Sequence, residues 1–252
     1  MIAGLPMYDR SELRDAHDRF WAIIRNNLGG GPDQLSNPND LASFWRSDDL
    51  LLGQTCGMPY RTFLHDCVQL VGTPDYGIEG CCPGYYRSLV IVHTDSEIRE
   101  FSDLAEKRIA YNEALSQSGW AAIIAEMQAA DMRPSSGMQT HAHINSALAV
   151  SKKLADFAAI DAHTWSLMCR YQNHLTRSLR VIQRTSPTPG LPYICATRFD
   201  AQTIFNAVQN ALDALPPAVS EILGIRGIVK ISKQDYLDVL TPSSPYNLFG
   251  HP

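Results

Sequence analysis

The chain has 252 residues, of which 45% are apolar and 19% are charged, and its formal net charge is −5. These values are typical of a folded protein with a sizeable core, and they exclude the disordered class. The negative charge and the lack of any Lys/Arg block predict no binding of nucleic acid, and no apolar run is long enough for membrane insertion.

The first ten residues, MIAGLPMYDR, show no basic segment, long apolar segment or cleavage site of a signal peptide. The chain as given is therefore expected to be cytoplasmic, and periplasmic only if a leader has been removed. The cysteines are scattered and form no C-x-x-C pair, so we expect reduced thiols with no role in metal binding. They are Cys56, Cys67, Cys81, Cys82, Cys169 and Cys195.

The first half of the chain predicts a strand over residues 2–7 and then an amphipathic helix that the glycines at 29–31 end. Asp9 and Glu12 have the spacing of a capping box at the start of this helix. A short helix near Leu41–Trp45 follows. Three further strands are predicted over Leu50–Gly53, Cys67–Thr73 and Arg87–Thr94.

The second half continues the alternation of strands and helices. Strands are predicted over 108–111, 157–160, 178–184, 193–197 and 227–231, and helices over 120–130, 144–154, 164–171 and 201–215. This order predicts an α/β fold with mostly parallel sheets, and about ten strands are too many for one small sheet. We therefore expect two lobes, with lobe one formed by 1–90 and 190–252, lobe two by 91–189, and crossovers near 87–94 and 185–196.

The segment NEALSQSGW, residues 112–120, places small and polar residues where a strand is followed by a helix. A helix N-terminus at the carboxyl end of a strand presents backbone N–H groups and a partial positive charge. Ser116 and Ser118 would add hydroxyl donors, and Gly119 would let a ligand approach the backbone. The segment thus indicates an anion site built without Lys or Arg. A serine-capped helix with no ligand is the alternative, and spacing alone does not separate the two.

A second junction of this kind follows the strand LLLG. Gln54, Thr55 and Cys56 place hydrogen-bonding groups and a thiol at its end, just before a predicted helix. Two such junctions on different lobes suggest helix N-termini that face each other across a cleft. Tyr85 and Tyr86 precede the first crossover, where they would form an aromatic wall or simply pack at a strand edge.

His143 and Ser146 are three residues apart at the start of an amphipathic helix, so both can face one point. Asp161 ends a predicted strand and therefore lies at a carboxyl end. The alternative for His143 is a capping or surface histidine. His141 and His143 could resemble a metal pair, but no third ligand lies near, so no metal site is predicted.

Three segments, GYYRSLVIVHTDS, IAYNEALSQSGW and HINSALAVSKKLADFAAID, resemble successive motifs of the phosphate/phosphonate-binding proteins of ABC transporters. The resemblance covers about residues 50–200, and it implies the two-lobed type II periplasmic-binding-protein fold with a ligand cleft between the lobes. The family's middle motif is an aspartate, a short loop and Ser-Thr-Ser-Gly. Here Asn112 and Gln117 replace the aspartate and the threonine, while Ser116, Ser118 and Gly119 match.

The resemblance implies a binding protein rather than an enzyme, with no cofactor. Its small oxyanion ligand, phosphonate or phosphate-ester-like, would lie in the interlobe cleft, and binding would close the lobes by a hinge at the crossovers. The resemblance places the phosphonate contacts at two serines, a histidine and a carboxylate, and the first-lobe contact at Gln54–Thr55. The full predicted ligand-binding set is Ser116, Gln117, Ser118, Gly119, His143, Ser146, Asp161, Gln54, Thr55, Cys56 and Tyr86.

Two alternatives remain at this point. Some relatives of the fold make or process pyrimidine precursors of thiamine, and in such an enzyme Cys56 would be the nucleophile and His143 a base. A cytoplasmic sensor, read by a partner protein, is the other. The expected partners are thus a small anionic ligand and either an ABC-transporter permease or a sensor partner.

Overall fold

The computed structural model describes residues 1–250, and the chain divides into two compact units. Unit 1 contains Met1–Tyr85 and Pro189–Asp238, and unit 2 contains Tyr86–Thr188 and the segment from Val239 onward. The chain therefore passes from one unit to the other within the predicted segment 185–196 and just ahead of the predicted segment 87–94.

The strands fall into two five-stranded sheets and one two-stranded sheet. In chain order they are β1 Ile2–Gly4, β2 Leu50–Gln54, β3 Val68–Asp75, β4 Tyr85–Tyr86, β5 Ser88–His93, β6 Arg108–Tyr111, β7 Ser136–Gln139, β8 Phe157–Asp161, β9 Leu179–Arg184, β10 Thr188–Pro189, β11 Tyr193–Ala196 and β12 Gly227–Val229.

The helices include several short turns of 3₁₀ and π type. The α-helices are α1 Arg14–Asn27, α2 Leu41–Trp45, α3 Gly57–Pro59, α4 Ala122–Ala129, α5 His143–Ser151, α6 Ala162–Tyr171, α7 Asn173–Thr176, α8 Ala201–Ala214, α9 Pro217–Leu223, α10 Lys233–Leu237 and α11 Pro245–Phe249. Turns of 3₁₀ helix span Pro6–Tyr8, Ser11–Leu13 and Phe101–Leu104, and π-helical turns span Tyr60–Leu64 and Gln117–Ala121.

Unit 1 is built on the sheet with strand order β1-β2-β11-β3-β12. All five residues of β2 are buried, which explains why its first four residues, LLLG, show no alternation of apolar and polar residues. One apolar cluster joins the sheet to α1 and α8, which pack against each other through residues such as Phe20 and Val208. A second cluster contains Trp45, Tyr60 and Tyr236.

Unit 2 is built on the sheet with strand order β7-β6-β8-β5-β9. One apolar cluster contains Trp120, Ile124 and Phe157 and involves α4, and another contains Val150 and Met168 from α5 and α6. Helices therefore cover the apolar residues of its central strands, which confirms the α/β class.

The sheets are mixed, which corrects the expectation that they are mostly parallel. In unit 1, β1 and β2 are parallel, but β11 is antiparallel to both β2 and β3. In unit 2, β6 is parallel to β7 and β8, but β5 is antiparallel to β8 and β9. β5 and β11 follow a passage between units, so they enter their sheets without a crossover helix and run against their neighbours. β12 is also antiparallel to its neighbour, β3.

The first helix begins later than its capping pattern predicts. α1 starts at Arg14 after a 3₁₀ turn over Ser11–Leu13, and no side chain caps it. The Glu12 carboxylate accepts hydrogen bonds from Arg10 and Ser11 instead of reaching back to Asp9. The predicted capping box is therefore wrong, because two nearer donors satisfy its acidic member.

The C-terminal segment belongs to unit 2, whereas the sequence assigned it to lobe one. The indole N–H of Trp120 donates a hydrogen bond to the Ser243 carbonyl oxygen at 3.0 Å, and Gln128 bonds to the Ser243 hydroxyl. The Phe249 ring meets the Trp120 ring edge-on, with centroids 6.0 Å apart. Through these contacts α11 and the loop before it pack against the core of unit 2.

Two further observations concern the described part of the chain only. None of its helices has both the length and the apolar character that crossing a membrane would need. Among the same residues, no group of three or more His, Cys, Asp or Glu side chains is arranged to hold a metal ion.

Removing the Phe249 ring tests the assignment of the C-terminal segment. Phe249→Ala should lower the free energy of unfolding by about 1–3 kcal/mol, because it deletes a partly buried aromatic contact with Trp120. Urea unfolding followed by tryptophan fluorescence measures the change. Tyr246→Ala is the control, since this side chain on the same helix is 65% exposed, and it should stay within about 0.5 kcal/mol of wild type. Two equally stable variants would contradict the assignment.

Candidate ligand-binding site

The predicted residues of unit 2 gather at one edge of its sheet. β6, β7 and β8 are parallel, so their carboxyl ends lie at the same edge. β6 leads into Asn112–Gly119, β7 into Thr140–His143, and β8 ends at Asp161. The antiparallel strand β5 begins there too, since Ser88 is paired with Asp161. Open α/β sheets bind ligands at such edges.

Ser116 opens the helix that follows β6. Its hydroxyl oxygen accepts a hydrogen bond from the Gly119 N–H at 2.9 Å, so Ser116 is the N-cap. The first turn, Gln117–Ala121, is a π-helical turn that continues into α4, with the Ala121 N–H bonded to the Ser116 carbonyl oxygen. Turns of this type are frequent at functional sites. Ser116, Gln117 and Ser118 are all buried.

Ser118 and His143 form a hydrogen-bonded pair. The Ser118 Oγ lies 2.9 Å from the His143 Nε2, and the Ser88 hydroxyl donates to the Ser118 carbonyl oxygen at 2.8 Å. Burial lowers the pKa of His143 to about 4, an effect that the backbone of Ala159 partly opposes. The imidazole is therefore neutral at pH 7, and its Nε2 either donates to or accepts from the serine.

Gly119 is required by the protein's own packing. A Cβ atom added there would overlap the side-chain oxygen of Asn112 and come within 3.2 Å of the His143 ring. The space over its α-carbon is thus already filled. This packing explains the glycine without the close approach of a ligand that the sequence suggested.

Asp161 and Ser146 have structural partners in this unit. The Asp161 carboxylate accepts a hydrogen bond from the Thr164 N–H at 2.7 Å and so caps α6. Ser146 is fully buried, and its hydroxyl lies 2.7 Å from that of Thr140, in the loop after β7. Ser146 therefore links the loop after β7 to α5, the helix that begins at His143.

The predicted residues of unit 1 lie at the carboxyl end of β2. Gln54 and Thr55 are buried, and the Thr55 N–H donates to the Pro192 carbonyl oxygen at 3.1 Å. The Gln54 side-chain amide lies 3.3 Å from the Tyr76 hydroxyl. Cys56 is half-buried and precedes α3, and its thiol makes no capping bond to that helix.

Several neighbours of these residues were not predicted. Tyr76 directly follows β3 and contacts the Tyr8 ring edge-on, with centroids 4.9 Å apart. The position of Tyr76 just beyond the end of β3 was the available signal. No local sequence signal pointed to Ser88, because its place beside Asp161 depends on the register of an antiparallel pair of strands. Tyr86, the other predicted residue, is buried in β4.

The fold and these sites define a substrate-binding protein with the two-lobed type II periplasmic-binding-protein fold. Over residues 2–236 the sequence matches the family described as the periplasmic substrate-binding protein of phosphonate ABC transporters. The chain belongs to this family, which confirms the resemblance. Because the family comprises substrate-binding proteins, the enzymatic alternative based on Cys56 is not retained.

Solved structures agree on the fold. PhnD1 of Prochlorococcus marinus in complex with methylphosphonate has a TM-score of 0.76 and 12% identity, covering 93% of each chain. A binding protein component of a phosphonate ABC transporter from Pseudomonas aeruginosa has a TM-score of 0.70 and 16% identity, covering 94% of this chain and 82% of its own. XAC2383 of Xanthomonas citri, bound to a chloride ion, has a TM-score of 0.69 and 16% identity, covering 93% of this chain and 92% of its own. Comparison with curated proteins gives no match.

A side chain at position 119 should displace Asn112. Gly119→Ala should cost about 1–3 kcal/mol of unfolding free energy, because the added methyl group overlaps the Asn112 oxygen. In an Asn112→Ala background the same change should cost much less. Urea unfolding of the four proteins in this double-mutant cycle gives the coupling. An equal cost in both backgrounds would show that the clash lies elsewhere.

The imidazole of His143 should make stability depend on pH. Because the folded pKa of His143 is about 4, below its ordinary value of 6.5, the unfolded chain binds the proton more tightly. Stability should be retained above pH 6.5 and fall as the pH drops towards 4, by up to about 3 kcal/mol. His143→Gln should remove this part of the loss, whereas His141→Gln, at an exposed neighbour, should retain it. Identical pH profiles for wild type and His143→Gln would refute the argument.

Proposed function

We propose that this protein binds a small ligand bearing a phosphonate or phosphate-ester group, with the anionic group at the helix N-terminus that Ser116 caps. The observation that carries the proposal is the Ser118–His143 pair, in which Ser118 of the first turn of that helix lies 2.9 Å from His143 of α5. Membership of the phosphonate-binding family supports the ligand class, as does the methylphosphonate bound to PhnD1.

The proposed site recognises an anion with neutral groups. Ser116 accepts from the Gly119 N–H, so its own hydroxyl hydrogen is directed elsewhere and can be donated to a ligand oxygen. If Nε2 of the neutral His143 is an acceptor, the Ser118 hydroxyl donates its hydrogen to the imidazole. If Nε2 carries the proton, it donates to Ser118, and the Ser118 hydroxyl can then donate to the ligand. The helix N-terminus supplies partial positive charge to a site in a chain of net charge −5.

Asp161 sets a condition on the ligand. A carboxylate near the site repels a bare dianion, so we propose that it accepts a hydrogen bond from a protonated phosphonate oxygen or from a ligand amine. Gln54, Thr55, Cys56 and Tyr86 are proposed to contact the rest of the ligand.

The transport context is a further part of the proposal. The family description names an ABC transporter, so we propose that a permease of this type is the partner, in preference to a sensor partner. The location of the protein and the set of ligand-contacting residues stay predictions from the sequence.

Calorimetry with methylphosphonate, inorganic phosphate, a phosphate monoester and uncharged analogues tests the anion site. Ser116→Ala and Ser118→Ala should each weaken the anions by about ten- to a hundredfold, the cost of a hydrogen bond to a charged group, and leave uncharged analogues unchanged. Ser135→Ala, an exposed serine of the same unit, is the control. Wild-type affinity in both site variants, or no anion binding by the ligand-stripped wild type, would refute the site.

The role of Asp161 needs its own comparison. Asp161→Asn should preserve the cap of α6, because asparagine caps helices as well as aspartate does. It should lower the affinity for an aminoalkylphosphonate relative to methylphosphonate, since the counter-charge of the amine is lost. An unchanged ratio of the two affinities would exclude a contact between Asp161 and the amine.

A further inference from the structure

Unit 1 contains a second concave site, beyond the carboxyl end of β1. It is a cavity of about 300 Å³ between the loop after β1, the first turns of α1 and the loop before α2. That last loop is fixed beside β1 by a hydrogen bond from the Ser36 N–H to the Ala3 carbonyl oxygen. None of the predicted ligand-binding residues lines the cavity. Its polar lining residues are Asp9, Arg14, His17, Asp18, Ser36 and Asn37.

His17 is the unusual member of this lining. Its side chain is only 8% exposed, and its ring forms no hydrogen bond with any residue in the described part of the chain. A buried polar ring normally has a partner, because burial without one is costly. His17 lines the cavity, and neither ring nitrogen is among the fully buried polar atoms that lack a partner, so the ring is accessible to an occupant of the cavity.

The charges around His17 define the occupant. Both Asp9 and Asp18 interact electrostatically with its ring and favour its cationic form, but burial is the larger effect and lowers the pKa of His17. Arg14 is the one cationic side chain among the lining residues named above, so with a neutral imidazole the lining carries a net charge of −1. Within residues 1–250, Asp9, Arg14 and Asp18 form no salt bridge that would neutralise them.

We propose that this cavity binds a small ligand bearing a protonated primary amine. An ammonium group has three N–H donors, and the cavity offers three matching acceptors in the carboxylates of Asp9 and Asp18 and a ring nitrogen of neutral His17. Arg14 then donates to a hydroxyl or carboxylate carried by the same ligand. The anion-binding residues proposed above lie in other segments, so this site does not depend on that proposal.

Nuclear magnetic resonance on the ¹⁵N-labelled full chain tests the cavity, with ethanolamine as the probe and ethylene glycol as its uncharged analogue. Ethanolamine should shift the His17 ring and the Asp18 and Ser36 amides with a saturable dependence on concentration. Ethylene glycol should not. Asp18→Asn should weaken ethanolamine by about tenfold, because it removes a charged acceptor. Asp15→Asn, which changes another exposed carboxylate of α1 outside the cavity, should not change the affinity.

Three outcomes would overturn the proposal. The first is the absence of saturable shifts, and the second is that the shifts are confined to residues outside the cavity. The third is that Asp15→Asn and Asp18→Asn weaken ethanolamine binding equally, which would indicate only a general charge effect. Asp18→Asn should keep the wild-type affinity for methylphosphonate. A negative result for ethanolamine would therefore leave the proposed anion site unaffected, and a negative result for methylphosphonate would leave the proposed amine site unaffected.

Discussion

The parallel alignment of β6, β7 and β8 determines where the chemistry of unit 2 lies. Parallel strands end at one edge, so residues separated by up to about fifty positions in the sequence meet there without any long-range contact between their own side chains being needed. Asn112–Gly119, His143 and Asp161 each reach the edge because the strand before them ends there. Ser146 and the cap formed by Ser116 then hold the connecting segments in place.

A neutral site for an anion follows from this arrangement. The strand ends bring a helix start to the edge, and hydroxyl and imidazole groups surround it. Ser118 is itself buried, so water competes little for its hydrogen bonds. Hydrogen bonds in such surroundings depend strongly on direction, so recognition rests on the geometry of the oxyanion more than on total charge. A lysine ammonium, which is a compact point charge, would attract anions of many shapes.

Much of the fold and of the candidate site could be predicted from the sequence, and the predictions that were wrong have identifiable causes. The strand–helix alternation and the junction at residues 112–120 were predicted, because hydrophobic periodicity and small polar residues are local signals. The direction of β5 and β11 was not, since it depends on the passages between units. The expected capping role of Asp9 failed because Arg10 and Ser11 compete for Glu12. The place of Ser88 beside Asp161 depends on strand register, which no local pattern encodes.

The attachment of the segment from Val239 to unit 2 has a consequence for biosynthesis. If the chain passed between the units only twice, unit 2 would be one uninterrupted stretch of chain. It could then fold as soon as it emerged from the ribosome. A third passage makes both units discontinuous. The core around Trp120 is then completed only after Phe249 has been added, about 130 residues after Trp120 itself. Until that moment a face of Trp120 stays uncovered, and the nascent chain is most exposed to aggregation through this aromatic surface.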